Sequence, residues 1–197
     1  MIELFSVTKK YKEFLKSSPA IYERGGICAG ACYTWLTSNM RTRNINRHTQ
    51  NSLLNSSAEF YKKAFSAQRY SSNGTQYPIL MQKIEAHNAI ATNSGLPALK
   101  VEIIKHFGNN QRSYLENFFR EKNGKTQGVI FSFHIGKALL PHAVAALKIN
   151  NKRYLYDPNW AVCLLEEHDD FDEVTTVFKR AYCKVLFVFG DIIKFTI

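Results

Sequence analysis

The chain has 197 residues, of which 45% are hydrophobic, and it carries 26 Lys and Arg residues against 16 Asp and Glu residues. This length and apolar content suit one domain with a real core and exclude a disordered chain. No apolar run approaches the roughly 20 residues that span a bilayer. The four cysteines are too few for a disulfide scaffold in a chain of this length. They also lack CxxC spacing and a histidine pair that would complete a zinc site. We therefore expect a globular protein of a reducing compartment, without metal or cofactor.

The formal net charge is +10, and the acidic residues concentrate in residues 166–173. Basic residues recur at Arg41, Arg43 and Arg47 and again from Lys100 to Lys125. Such a surface attracts anionic membranes or acidic partners, and the alternative is a solvated basic face without a dedicated partner. No nucleic-acid recognition motif accompanies the charge, so nucleic-acid binding is not expected. The N-terminal residues lack the pattern of a secretory signal, and export by the general pathway is not expected.

The first half of the chain predicts helices. Apolar residues recur at helical spacing at Tyr11–Leu15, from Cys28 to about Met40, and from Leu53 to Phe65. A further helix is predicted over residues 79–91, before the breaker sequence at Asn93–Pro97. We expect this half, about residues 1–97, to form a helical lobe.

The second half predicts an antiparallel sheet over about residues 98–197. The predicted strands are Val101–Ile104, Val129–Phe133, Ala143–Ile149, Tyr154–Tyr156 and Lys184–Phe189. Ala143–Ile149 and Tyr154–Tyr156 should form a hairpin. An amphipathic piece surrounds residues 114–119, and a late helix should begin at a cap, Asp169 or Asp170. The fold class is therefore α+β, with the two lobes in a single domain.

Cys28 follows two glycines, Gly25 and Gly26, and opens the predicted helix. A thiol reacts as the thiolate, and a helix N-terminus favours that anion through its free N–H groups and its dipole. Gly30 leaves room near the thiol for a substrate backbone. The alternative is that Cys28 is a small buried hydrophobic residue. Cys32 lies one helical turn later and should point the same way, toward the core. We interpret it as a packing residue, and it is also the second candidate nucleophile.

His142 and Asp157 supply an imidazole and a carboxylate on the two strands of the predicted hairpin. Directly paired residues of a hairpin with a two- or four-residue loop have an odd sum of residue numbers, as 142 and 157 do. Both side chains should therefore point to the same face and lie within contact distance of each other. Pro158 keeps the Asp157 backbone extended. The alternative is an unrelated core-edge histidine and an ordinary turn.

Three short boxes resemble the YopT and AvrPphB family of bacterial effector proteases. They are Gly26–Gly30 with Trp35 on the same helix, Pro141–Val144, and Leu155–Asn159. The resemblance spans roughly positions 20 to 165 and implies a papain-like thiol hydrolase fold. It also implies a cysteine protease that acts on a host protein after delivery into the host cytoplasm by a specialised secretion system.

By the same resemblance, Cys28 is the nucleophile, His142 the general base and acid, and Asp157 the residue that orients the imidazole. The Cys28 N–H would donate one hydrogen bond to the oxyanion. The stretch before Cys28 lacks the expected Gln or Asn, so Arg24 or Asn159 would supply the second donor. We expect a monomer. A deamidase or acyltransferase with the same triad, and a catalytically dead binding module, are the alternative functions.

Overall fold

The computed structural model describes residues 1–8, 12–13, 16, 27–42, 44–55, 57–74, 100–104, 110–121, 124–135, 137, 140–167, 169–182, 185–186 and 192–197. In chain order the elements are β1 Ile2–Ser6, α1 Cys28–Thr42, α2 Arg47–Asn55, α3 Ser57–Gly74, β2 Lys100–Ile104, α4 Asn110–Arg120, β3 Gln127–Ile135, β4 Leu140–Ile149, β5 Lys152–Tyr156, β6 Ala161–Leu165, α5 Phe171–Ala181, β7 Val185–Leu186 and β8 Ile192–Thr196. The helical stripe predicted at Tyr11, Phe14 and Leu15 and the helix predicted over 79–91 lie outside the described residues. In the described part of the chain, no helix combines the length and the apolar character that crossing a membrane requires.

The described strands form one antiparallel sheet in the order β1-β6-β5-β4-β3-β8-β2, with β7 paired to the end of β3. The α+β class with an antiparallel sheet is confirmed. The prediction that the first half is helical was wrong at Ile2–Ser6, where β1 pairs with β6. This edge strand is only five residues long and mostly exposed, so its sequence has little strand pattern of its own. Its strand conformation is specified by pairing with β6. The closing strand predicted over Lys184–Phe189 is described only at Val185–Leu186, and β8 was not predicted.

The sheet is covered by helices on both faces. Alternate residues of β4 contribute to two separate cores: Ala145 and Leu147 lie in the core with α1 and α3, and Val144 and Ala146 lie in the core with α4 and α5. Successive side chains of a strand point to opposite faces, and a strand covered on both faces becomes a continuous apolar run. The two cores therefore meet at β4, the strand that carries His142.

A buried polar network holds α1. Trp35 Nε1 donates to Gln50 Oε1 of α2 at 2.8 Å, and Gln50 Nε2 donates to Asn39 Oδ1 at 2.7 Å. Asn39 Nδ2 closes the ring by donating to the Trp35 carbonyl at 2.8 Å. The Trp35 ring stacks on Tyr156 with centroids 5.1 Å apart. Because every buried amide is paired, the network fixes α1 against the strand residue that precedes Asp157.

The hairpin of β4 and β5 turns through Asn150 and Asn151, whose φ angles are 51° and 61°. Two consecutive residues with positive φ are typical of the two-residue turn whose twist matches antiparallel strands, and Asn tolerates this region better than most residues. Ile149 pairs with Lys152, and the register continues to Ala145 and Tyr156. The paired residue numbers have odd sums, so His142 and Asp157 lie on the same face of the hairpin, as predicted.

Gly128 of β3 allows α1 to approach the sheet closely, which leads to a stability prediction. A Cβ at this position would lie 2.8 Å from Cδ2 of Leu36, a side chain that is fully buried. We expect Gly128→Ala to reduce the free energy of unfolding by about 1–3 kcal/mol through overpacking. Urea unfolding followed by circular dichroism measures this change.

The double variant of Gly128→Ala with Leu36→Ala tests the cause of that loss. Leu36→Ala alone should cost about 2–5 kcal/mol through the cavity that it leaves. In the double variant the new methyl group enters that cavity, so the total loss should be smaller than the sum of the single losses. Strictly additive losses would show that the contact between residues 128 and 36 is not responsible.

Candidate active site

Cys28 is the first residue of α1 and is partly exposed. Its Sγ accepts a hydrogen bond from the backbone N–H of Ala143 at 3.4 Å. The first turn of the helix is formed, since Ala31 N–H donates to the Ile27 carbonyl at 2.8 Å. The thiol therefore lies at the positive end of the helix dipole and beside β4. Gly25 and Gly26, which precede the helix, lie outside the described residues.

His142 lies on β4, and its side chain is almost completely buried. Its Nε2 is 2.9 Å from Oδ1 of Asp157. The imidazole and the ring of Phe133 of β3 meet edge to face, with ring centroids 5.8 Å apart and planes at 84°. With Nε2 committed to the carboxylate, Nδ1 is the nitrogen that remains for a hydrogen bond with the Cys28 thiol.

Asp157 follows β5 and is fully buried. Its backbone belongs to a tight turn, because its N–H donates to the Ala161 carbonyl at 2.9 Å and its carbonyl accepts from Trp160 N–H at 3.0 Å. Oδ1 accepts from His142 Nε2 and from the Asn159 N–H at 2.8 Å. Oδ2 accepts from the hydroxyl of Tyr182 at 2.7 Å. A buried carboxylate needs such a set of donors, since losing one leaves a costly unpaired oxygen.

The hairpin register explains how His142 and Asp157 meet. Tyr156 pairs with Ala145, so Asp157 follows at the level of Val144, two residues from His142 on the same face. The two side chains are thus diagonal neighbours, one of the two arrangements that the sequence analysis expected. The structure brings both of them together with Cys28.

The charges of this cluster reinforce one another. Burial favours a neutral imidazole, but the charge and hydrogen bond of Asp157, together with Cys28, outweigh it and raise the pKa of His142 to about 10. Burial also favours a neutral thiol, yet the hydrogen bond and charge of His142 and the N–H groups of Ala143 and Ala29 lower the pKa of Cys28. Both shifts favour a thiolate and imidazolium pair at neutral pH.

Cys32, the second candidate nucleophile, has a different environment. It is fully buried, and its Sγ donates to the Ala143 carbonyl at 3.4 Å. Burial, with the nearby charges of Cys28 and Asp157, raises the pKa of its thiol well above the ordinary value. Burial likewise raises the pKa of Cys163 to about 12. Of the three described thiols, only Cys28 lies in surroundings that lower its pKa and favour the thiolate.

Of the two candidates for the second oxyanion donor, the structure describes Asn159, whereas Arg24 lies outside the described residues. Asn159 donates its backbone N–H to Asp157 Oδ1 at 2.8 Å. The oxyanion role of either residue stays a prediction.

Tyr182 was missed by the sequence analysis. It follows α5 directly and continues the helical spacing of Val174 and Phe178, which indicates a buried face but not a contact with Asp157.

Within the described residues, no group of three or more His, Cys, Asp or Glu side chains is arranged to hold a metal ion.

Comparison with known proteins identifies the family. A family model described as Yersinia/Haemophilus virulence surface antigen, the Peptidase C58 family, matches residues 4–184. The crystal structure of the Pseudomonas avirulence protein AvrPphB matches with a TM-score of 0.58 and 11% sequence identity, over 87% of this chain and 92% of that chain. No curated protein matches the sequence. At this identity the structural match shows the fold alone, which is the papain-like fold expected from the three boxes.

The family match covers most of the chain, and the fold that it implies is the one observed. The chain therefore belongs to the Peptidase C58 family, the YopT and AvrPphB family of virulence effectors, and is a cysteine protease.

Proposed function

We propose that the protein cleaves a host protein through a covalent thioester on Cys28, with His142 and Asp157 completing a catalytic triad. The observation that supports this most directly is the cluster itself. The imidazole contacts a thiol at a helix N-terminus on one side and a buried carboxylate on the other, and the charges of the cluster favour the ion pair that thiol hydrolases use.

The chemistry would proceed in two steps. The Cys28 thiolate attacks the carbonyl carbon of the scissile bond, and the imidazolium of His142 gives its Nδ1 proton to the leaving amine. Water then attacks the thioester while His142 takes a proton from it, and the Cys28 thiolate leaves. In both steps Asp157 holds the imidazole in place through Nε2.

The tetrahedral intermediates need donors for the developing oxyanion. The N–H of Cys28 lies at the helix start, where backbone N–H groups have no partner within the helix. Arg24 or Asn159 would supply the second donor. Removing one such donor typically costs about 10²- to 10³-fold in rate.

We also propose that the protein acts as a monomeric effector inside the host cytoplasm and that its basic surface assists substrate encounter. Arg41 and Arg47 are exposed at the end of α1 and the start of α2. Arg43, which completes the cluster in the sequence, lies outside the described residues. Long-range attraction of this kind increases association rates and weakens as salt rises.

Proteolysis of host proteins is the first testable consequence. We expect host lysate treated with the wild-type protein to contain new peptide termini that are absent after treatment with Cys28→Ala. Cys32→Ala is the matched control and should retain the activity, because Cys32 only packs and donates to a carbonyl. Mass spectrometry of termini and side chains measures the products. Side-chain mass changes without new termini would assign a deamidase or acyltransferase instead.

The ion pair predicts the pH dependence of Cys28 alkylation by iodoacetamide. In the wild type the reaction should persist well below the ordinary thiol pKa of about 8.5. His142→Ala removes the group that lowers the pKa of Cys28, so its rate near pH 6 should fall by about tenfold or more. Equal profiles in the two proteins would contradict the ion pair.

Asp157→Asn should reduce turnover by about 10²- to 10⁴-fold. The Asp157 charge raises the pKa of His142, so its removal should lower that pKa from about 10 and bring the alkaline limb of the rate profile to lower pH. Turnover against pH, with thermal unfolding as a check of folding, measures both effects. Wild-type turnover in this variant would exclude Asp157 as the orienting residue.

Binding to vesicles that contain anionic lipid tests the role of the basic surface. Replacing Arg41 and Arg47 by Gln should weaken binding at low salt, and raising salt should weaken the wild type in the same way. Alkylation of Cys28 by a neutral reagent should not change, because both residues act only on encounter. Absence of vesicle binding by the wild type at low salt would exclude an anionic membrane as the partner.

A further inference from the structure

Tyr182 directly contacts two of the three residues that form the candidate triad. Its hydroxyl donates to Asp157 Oδ2 at 2.7 Å and lies 3.2 Å from His142 Nε2. Its ring lies beside the imidazole, with centroids 5.5 Å apart. The hydroxyl thus touches the carboxylate on the oxygen that His142 does not use.

Each oxygen of Asp157 has a distinct set of donors. Oδ1 accepts from His142 Nε2 and from the backbone N–H of Asn159. Among the described residues, the donor to Oδ2 is Tyr182. Since Asp157 is fully buried, removal of the hydroxyl would leave Oδ2 without this bond in a place from which solvent is excluded.

The hydroxyl proton is directed to Asp157. A phenol has one proton to donate, and Oδ2 of Asp157, at 2.7 Å, accepts it. Burial, followed by the charge of Asp157, raises the pKa of Tyr182 far above its ordinary value. The hydroxyl therefore remains protonated over the whole range in which the enzyme would work.

The backbone around Tyr182 is itself held in place. Asp170 caps α5 by accepting from the N–H groups of Asp172 and Glu173. At the other end, the N–H of Tyr182 donates to the Phe178 carbonyl at 3.0 Å, and the two rings lie with centroids 6.4 Å apart. Phe178 is fully buried, so α5 presents the hydroxyl from a rigid element.

We propose that Tyr182 is a positioning residue of the active site, whose hydroxyl fixes the Asp157 carboxylate in the orientation that directs Oδ1 to His142. The proposal rests on the catalytic roles given above. Without the hydroxyl, the carboxylate can rotate to satisfy Oδ2, and the hydrogen bond to Nε2 weakens. The titratable groups that face His142 from the described elements are Cys28 of α1, Asp157 after β5 and Tyr182 after α5. A weaker contact with Asp157 therefore destabilises the imidazolium and, through it, the thiolate.

The test is Tyr182→Phe, which keeps the ring and removes only the hydroxyl. Tyr154→Phe is the matched control. Tyr154 is buried, and its hydroxyl also donates a hydrogen bond, at 3.3 Å to the Ile45 carbonyl, but away from the triad. Iodoacetamide alkylation of Cys28 against pH reads the ion pair without a substrate. We expect Tyr182→Phe to move the acidic limb upward by at least about half a pH unit, about threefold in rate near pH 6, while the control follows the wild type.

Turnover gives a second measurement. Cleavage of a host protein by Tyr182→Phe should fall about tenfold in kcat with KM unchanged, because the hydroxyl orients the catalytic groups and does not touch substrate. The two assays also separate the hypotheses. If the wild type cleaves nothing, the proposed proteolysis fails, whereas the alkylation profile still decides whether Tyr182 supports the ion pair.

An acidic limb that is unchanged in Tyr182→Phe, or that shifts equally in Tyr154→Phe, would overturn the proposal. If Tyr182→Phe does not unfold cooperatively on heating, Tyr182→Gln and Tyr182→Leu replace it. These two side chains are similar in size, but only Gln offers an N–H donor. The Gln variant should stay closer to the wild-type profile, and equal profiles for Gln and Leu would overturn the proposal.

Discussion

The burial of the Asp157 carboxylate is the constraint on which the rest of the site depends. A charge removed from water must be paired and hydrogen-bonded, and Asp157 meets this demand through His142, the Asn159 backbone and Tyr182. These donors come from β4, from the turn after β5 and from the end of α5. One carboxylate therefore ties three separate parts of the fold into a fixed arrangement, and the imidazole is oriented as a consequence.

The two-faced sheet makes the meeting of thiol and imidazole possible. α1 packs on one face and α5 on the other, and the side chains of β4 alternate between the two cores. Ala143 is the point of contact, since its N–H donates to Cys28 Sγ and its carbonyl accepts from Cys32 Sγ. The nucleophile from one face thus reaches His142, the residue of β4 that precedes Ala143, and the His142 ring packs with Phe133 and Tyr182.

The same contacts explain why two cysteines one helical turn apart differ in chemistry. Cys28 lies at the helix start, where His142 and backbone N–H groups stabilise a negative charge. Cys32 is buried in the core, and its neighbours are a carbonyl oxygen and groups of negative charge. The buried network from Trp35 to Gln50 and the stack of Trp35 on Tyr156 fix α1 in the register that produces this difference.

Local features of the sequence determined many of the secondary-structure elements and part of the site geometry. The helix from Cys28, the strand at Val129–Phe133, the late helix with its aspartate cap, and the shared face of His142 and Asp157 all follow from helical period or strand alternation, which neighbouring residues specify. The tertiary structure alone decided the pairing of β1 with β6, the pairing of β8 with β2 and β3, and the contact of Tyr182 with Asp157. These depend on residues distant in the chain: β1 is specified by β6, and Tyr182 reaches Asp157 only because α5 packs across the sheet. The helical or strand spacing of neighbouring residues does not predict which hydroxyl contacts a buried carboxylate, because that contact forms only when the two cores pack.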